Sequence, residues 1–121
     1  MAEHNETGIK GEVLATNYLK QKGYNILETN WRFKNLEADI IASINSMLIV
    51  AEVKTRTGNY LGEPEIFVDK QKQKNLIKTA NAYVQRNNID LEVRFDIISI
   101  LMKNSTATIN HIEDAFYANG K

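Results

Sequence analysis

Two strand-length apolar runs, residues 36–43 and 47–55, flank the turn signal Asn45-Ser46 near the middle of the chain. A β-hairpin is the simplest structure that accommodates all three features. These runs are too apolar to tolerate charge casually, because an unpaired ion on a half-buried strand is expensive to desolvate. Yet Glu37 and Asp39 interrupt the first run, and Glu52 and Lys54 interrupt the second. Side chains alternate along a strand, so Glu37 and Asp39 are expected on one face, and Glu52 and Lys54 on one face of the next strand. Ala51 and Val53 then point the other way and suit a helix packed behind the sheet.

The rest of the chain supplies that helix and more. Residues 8–22 follow a helical period through Ile9, Val13, Leu14 and Leu19, and Gly23 is placed to end it. Residues 24–33 read as extended, with Tyr24, Ile26, Trp31 and Phe33 as packing residues. Gly58, Asn59, Gly62 and the only proline, Pro64, make 57–64 a loop. Residues 69–86 form the longest helical pattern, closed by Asn87-Asn88. A fourth strand is expected over 91–101, and a weaker fifth over 105–112, at a sheet edge. The order α-β-β-β-α-β-β predicts an α/β fold: a mixed central sheet of about five strands, flanked by helices.

At 121 residues the chain is read as one domain, 1–121, with loose tails at 1–6 and 115–121. The absence of cysteine excludes disulfides and thiolate-bound zinc. His4 and His111 stand alone, without zinc-ligand spacing. The first ten residues lack the apolar core of a secretory leader, and no apolar run approaches membrane-spanning length. A cytoplasmic protein with no membrane partner is therefore expected. Fifteen basic and fifteen acidic residues cancel, so any polyanion must be held by a local patch.

If the hairpin brings its polar faces together, Asp39 and Glu52 converge on a point beside Lys54. Mg²⁺ prefers oxygen ligands, commonly takes one or two carboxylates and leaves positions for water and phosphate oxygens. The Val53 carbonyl and Glu12, on the first helix, are candidate further ligands. Lys54 would orient the attacking water and offset charge on the phosphoryl oxygens. The same residues also suit a solvated strand face or a cross-strand ion pair.

The string Gly8-x-x-Gly11-Glu12-x-x-Ala15, with Asn30-Trp31-Arg32, Glu37-x-Asp39-Ile40-Ile41-Ala42, Glu52-Val53-Lys54-Thr55-Arg56 and Arg94-Phe95-Asp96, resembles the YraN family of small bacterial proteins. That family is similar to the PD-(D/E)XK nuclease superfamily, near the archaeal Holliday-junction resolvases. The resemblance implies a restriction-endonuclease-like core and metal-dependent endonuclease activity on nucleic acid, DNA first and branched DNA in particular. It implies a Mg²⁺ cofactor, replaceable by Mn²⁺, and a homodimer. It assigns Glu12 as the first-helix acid, Asp39 as the metal-binding Asp, and Glu52 and Lys54 as the Glu-x-Lys motif. Three neighbours depart from the family pattern: Leu36 where Gly is usual, Ala38 where Ile or Val is usual, and Ala51 where a larger apolar residue is usual. A non-catalytic nucleic-acid-binding module that keeps this fold is the alternative, and a protein-interaction domain is a third reading.

Other cations fall where a phosphate backbone could run. Lys70, Lys74 and Lys78 recur every four residues and form one helical stripe. Arg56 follows Lys54 into an expected loop. Trp31 is expected in the core, Arg94 and Asp96 as a structural pair, His111 as structural, and the Gly8/Gly11 pair as permitting close helix packing.

Overall fold

A computed structural model of the protein describes residues 6–58 and 68–118. Its elements follow the expected order: α1 (Glu6–Gln21), β1 (Asn25–Phe33), β2 (Leu36–Ile44), β3 (Met47–Thr57), α2 (Lys70–Arg86), β4 (Glu92–Lys103) and β5 (Thr106–Phe116). The strands form one sheet in the order β1-β2-β3-β4-β5. All neighbours are antiparallel except β3 and β4, which run parallel. That exception follows from α2, which carries the chain back to the starting end of the sheet. The fold is thus the mixed α/β sheet that the element pattern predicts.

Two of the three tight hairpin turns share a local cause. Asn45 and Ser46 both lie at positive φ (49° and 65°), as do Asn104 and Ser105 (50° and 69°). Two consecutive left-handed residues match the right-handed twist of the strands they join, and Asn tolerates that region better than most residues.

One core lies on each face. Leu76, Ala80 and Tyr83 of α2 pack with Ile41, Leu48, Val50, Phe95, Ile97 and Phe116. Ala15 and Leu19 of α1 pack on the other face with Ile40, Ala42, Ile49, Ala51, Ile98 and Ile100. Gly11 lets α1 approach β3: a Cβ there would collide with the Thr55 side chain. The expected use of small residues for close helix packing therefore holds at Gly11.

Three of the boundary differences change the reading of a residue. β5 runs on to Phe116, whose ring stacks on Phe95 with centroids 4.9 Å apart, so Ala115 and Phe116 belong to the sheet rather than to a tail. β3 continues to Thr57, which makes Arg56 a half-buried strand residue paired with Leu101, not a loop residue. Glu6 already belongs to α1. The expected loop from Asn59 to Pro64 lies outside the described residues. Among the described residues, no helix is long and apolar enough to cross a membrane.

Candidate functional site

The acidic residues gather where the sheet comes apart. The β2–β3 ladder runs from Ile44↔Met47 to Ile40↔Ala51 and stops there. One residue further, β3 remains paired with β4 through Glu52↔Ile97, while β2 stays with β1. Asp39 and Glu52 are the first residues past this fork. The opening leaves the Val53 N–H without a strand partner on the β2 side, and Asp39 Oδ2 accepts from it at 2.8 Å. A carboxylate has here replaced a ladder carbonyl.

A change of face accompanies the fork. Ile40 belongs to the core under α1, yet Ala38, two residues earlier, belongs to the core under α2. Strict alternation would put both on one side. The residue opposite Asp39, between the pairs Thr29↔Ile40 and Trp31↔Ala38, is Asn30 at φ 51°. Glu37 and Asp39 consequently do not present one simple common face. Both line a small cleft of about 110 Å³ with Arg32, Lys72 and Asn75, but Glu37 also lines a wider cavity of about 580 Å³ beneath α1. Glu12 lies in that wider cavity, together with Arg32. Arg32 Nη2 is 3.7 Å from Glu37 Oε1.

Asp39 and Glu52 are only 7% and 8% exposed, so their charges are costly. Burial pushes the Glu52 carboxyl up to about 7, and the nearby Asp39 charge adds to the rise, while Lys72 and Lys54 oppose it. Burial also raises Asp39 above the ordinary aspartate range, opposed by the Val53 hydrogen bond and the Lys72 charge. Lys72 Nζ lies 3.4 Å from Glu52 Oε2. The other oxygen, Glu52 Oε1, is buried and accepts no hydrogen bond among the described residues. Two buried carboxylates, one with an unused oxygen, form a hard-oxygen donor set of the kind Mg²⁺ or Mn²⁺ accepts. No group of three or more His, Asp or Glu among the described residues forms a ready-made cage. Any ion here would keep open positions.

Lys72 lies outside the stripe of Lys70, Lys74 and Lys78, and its side chain reaches into the site. Its position is set by the helix start: Asp69 caps α2 by accepting from the Lys72 N–H at 2.8 Å, and Gln73 Nε2 donates to the Val68 carbonyl at 2.9 Å. The signal was present in the spacing, since Lys72 precedes Leu76 and Ala80 at four-residue steps and so falls on the core side of the helix. Lys70, Lys74 and Lys78 occupy the exposed side, as the stripe predicts. Lys54 is half-buried on β3, near enough to hold Glu52 down.

A second polar cluster sits on the α1 side of the sheet. Arg94 grips Asp96 through Nε at 2.9 Å and Nη2 at 2.8 Å, and Nη2 also donates to Tyr24 Oη at 2.8 Å. The His111 ring lies between Asp96 (Nε2, 2.7 Å) and Tyr18 Oη (Nδ1, 3.2 Å), and the Asp114 N–H donates to Asp96 Oδ1 at 3.0 Å. These groups satisfy one another and tie α1, β4 and β5 together. The structural readings of Arg94, Asp96 and His111 agree with this.

Comparison with known proteins gives one consistent picture. A family model described as "Uncharacterised protein family UPF0102" matches residues 11–100. A UPF0102 protein of Flavobacterium psychrophilum is 49% identical over 117 residues, covering 97% of this chain and 98% of the relative. One from Christiangramia forsetii is 50% identical over 117 residues, with the same coverage. One from Parabacteroides distasonis is 49% identical over 118 residues, covering 98% of each. The matched span contains Glu12, Asp39, Glu52, Lys54 and Lys72.

Proposed function

We propose, from the premise that the chain belongs to the uncharacterised family UPF0102, that it is a metal-dependent nuclease hydrolysing phosphodiester bonds in DNA, branched DNA in particular. The observation that carries this reading is the buried pair Asp39–Glu52 at the β2–β3 fork, with Lys54 and Lys72 beside it. Burying two carboxylates together is destabilising, and a fold retains such a pair where the charge is used.

Asp39 and Glu52 would hold Mg²⁺ or Mn²⁺, with the Val53 carbonyl as a further oxygen, and Glu12, in the neighbouring cavity with Glu37 and Arg32, would support the site from α1. The bound ion supplies polarisation of the phosphate and a lowered pKa for a coordinated water. The Val53 N–H fixes the Asp39 carboxylate, so that it reaches the site already oriented. Lys54, held on a strand paired along its whole length with β4, would orient the attacking water and donate to the phosphoryl oxygens as their charge grows. Arg32, in the same cleft, would hold the incoming phosphate. The restriction-endonuclease-like description, a cytoplasmic location and action as a homodimer belong to the same proposal.

One observation favours a second reading. Lys72 already neutralises part of the Glu52 charge, as in a nucleic-acid-binding module that keeps the fold without turnover. The test is direct. Purified protein is expected to cleave branched or single-stranded DNA with Mg²⁺ or Mn²⁺, and Asp39→Ala and Lys54→Ala are each expected to abolish cleavage while the fold persists. Undiminished cleavage in both variants rejects the mechanism. No cleavage by the wild type across DNA and RNA substrates selects the binding module.

A further inference from the structure

The seam between α2 and the β1–β2 hairpin does not end at the acid pair. The cleft holding Asp39 is walled by Lys72 and Asn75 of α2 and by Arg32, Asn35 and Leu36 of the hairpin. One helical turn further along α2, a second cavity of about 290 Å³ opens between the same two elements, lined by Phe33, Lys78, Asn81, Ala82, Gln85 and Arg86. Two cations line it and no acid does. Neither the Lys78 nor the Arg86 side chain makes a hydrogen bond or ion pair among the described residues. The Arg86 guanidinium instead lies on aromatic surface, 5.2 Å from the Phe33 ring centroid and 5.9 Å from that of Trp31. The Lys34 ammonium lies 5.3 Å from the same Phe33 ring. Two cations therefore lie on one aromatic ring and a third, Lys78, lines the cavity beside it, on a seam that begins at the buried Asp39.

We infer that this cavity is a subsite for an unpaired nucleotide flanking the bond held at Asp39 and Glu52. Guanidinium and ammonium groups that no carboxylate neutralises are suited to phosphate oxygens. A half-buried aromatic ring between them suits the face of a base, which is accessible only when that base is out of a duplex stack. The spacing agrees. From Asn75 to Ala82 the helix rises about 10 Å, the length of about three nucleotides at about 3.4 Å each along a stacked strand. Of the exposed lysine stripe, only Lys78 lines this cavity, which separates the subsite from a diffuse basic surface. The inference rests on the nuclease reading of the acid pair and adds a substrate class: strands with a single-stranded flank.

The probe is a fluorescein-labelled DNA hairpin with an unpaired thymidine flank, compared with its blunt counterpart by anisotropy, with Ca²⁺ replacing Mg²⁺ to keep the strand intact. The wild type is expected to prefer the flanked probe. Lys78→Ala with Arg86→Gln is expected to weaken that binding about tenfold and to flatten its dependence on log salt by about 1.4, for two phosphate contacts on a single strand. Phe33→Leu should erode the preference for the flank and leave the salt slope alone. Lys20→Ala, on α1, should change neither. Lys78→Glu, at an exposed position, replaces the double variant if that variant melts early. Equal binding of both probes by the wild type, or wild-type affinity and slope in the cavity variants, overturns the subsite. Cleavage of the flanked probe in Mg²⁺, lost in Asp39→Ala, reads the acid pair separately, so either idea can fail without the other.

Discussion

At the scale of single residues, the burial of Glu52 works against the fold. Its carboxyl is pushed up to about 7 in the fold, against an ordinary value near 4.5. A carboxyl raised on folding binds an extra proton in the native state between those values. Its ionisation therefore opposes the fold above pH 7, and the penalty vanishes below about pH 4.5. The shift corresponds to roughly 3 kcal/mol. Glu52→Gln is expected to raise the melting temperature at pH 8 in EDTA and to change it little at pH 5. Lys72→Gln acts in the opposite direction. The lysine side chain is more than a third exposed, so its ion pair is partly screened, and its loss should cost about 1 kcal/mol at pH 8. If the pair is a cation site, Mg²⁺ should restore that stability, raising the melting temperature of Lys72→Gln by more than that of the wild type. An equal response in both proteins would count against it.

At the scale of elements, the site depends on a helix and a strand meeting without a side chain between them. Gly11 of α1 faces Thr55 of β3, one residue beyond Lys54. Gly11→Ala forces α1 outward or Thr55 aside. It should destabilise the fold by about 1–3 kcal/mol, read by urea unfolding, with partial recovery when Thr55→Ala is added. Much at this scale was legible beforehand. The 3.6- and 2-residue periods identify both helices and all five strands, and charged residues inside apolar runs single out Asp39, Glu52 and Lys54. The end of β5 was not legible, because Glu113 and Asp114 interrupt its pattern. Asp114 sits there at φ 57° to present its N–H to Asp96, a requirement of the tertiary fold. The fork was hidden for a similar reason. Alternation describes a regular ladder, and the site exists because the ladder stops. Lys72 does not stand out in a stripe drawn through Lys70, Lys74 and Lys78; only its side of the helix, shared with Leu76 and Ala80, points to the site.

At the scale of the whole molecule, two buried acids set opposite limits on pH. Asp96 is held below the ordinary aspartate value by His111, Arg94 and the Asp114 N–H, which outweigh its burial. A depressed carboxyl contributes stability that is present above its unfolded value near 3.8 and lost as pH falls through the folded one. Glu52 contributes its penalty at the other end. Without divalent ions the stability maximum is expected between about pH 4 and pH 6, measured by urea midpoints across pH. Saturating Mg²⁺ should shift that maximum toward neutrality, because a cation stabilises the ionised pair. Asp96→Asn should remove the acid limb and leave the alkaline limb in place.

The left-handed turn of the backbone at Asn30 also bears on what happens between molecules. β1 is an outer strand of the sheet, and a long straight outer strand invites another chain to dock on it and start fibril growth. Asn30 and the irregularity between Ile26 and Glu28 bend that border, so a second copy finds no even row of donors and acceptors. The distortion opposite Asp39 is thus also expected to hinder self-templated pairing along β1. A substitution that straightened β1 would be expected to weaken that hindrance.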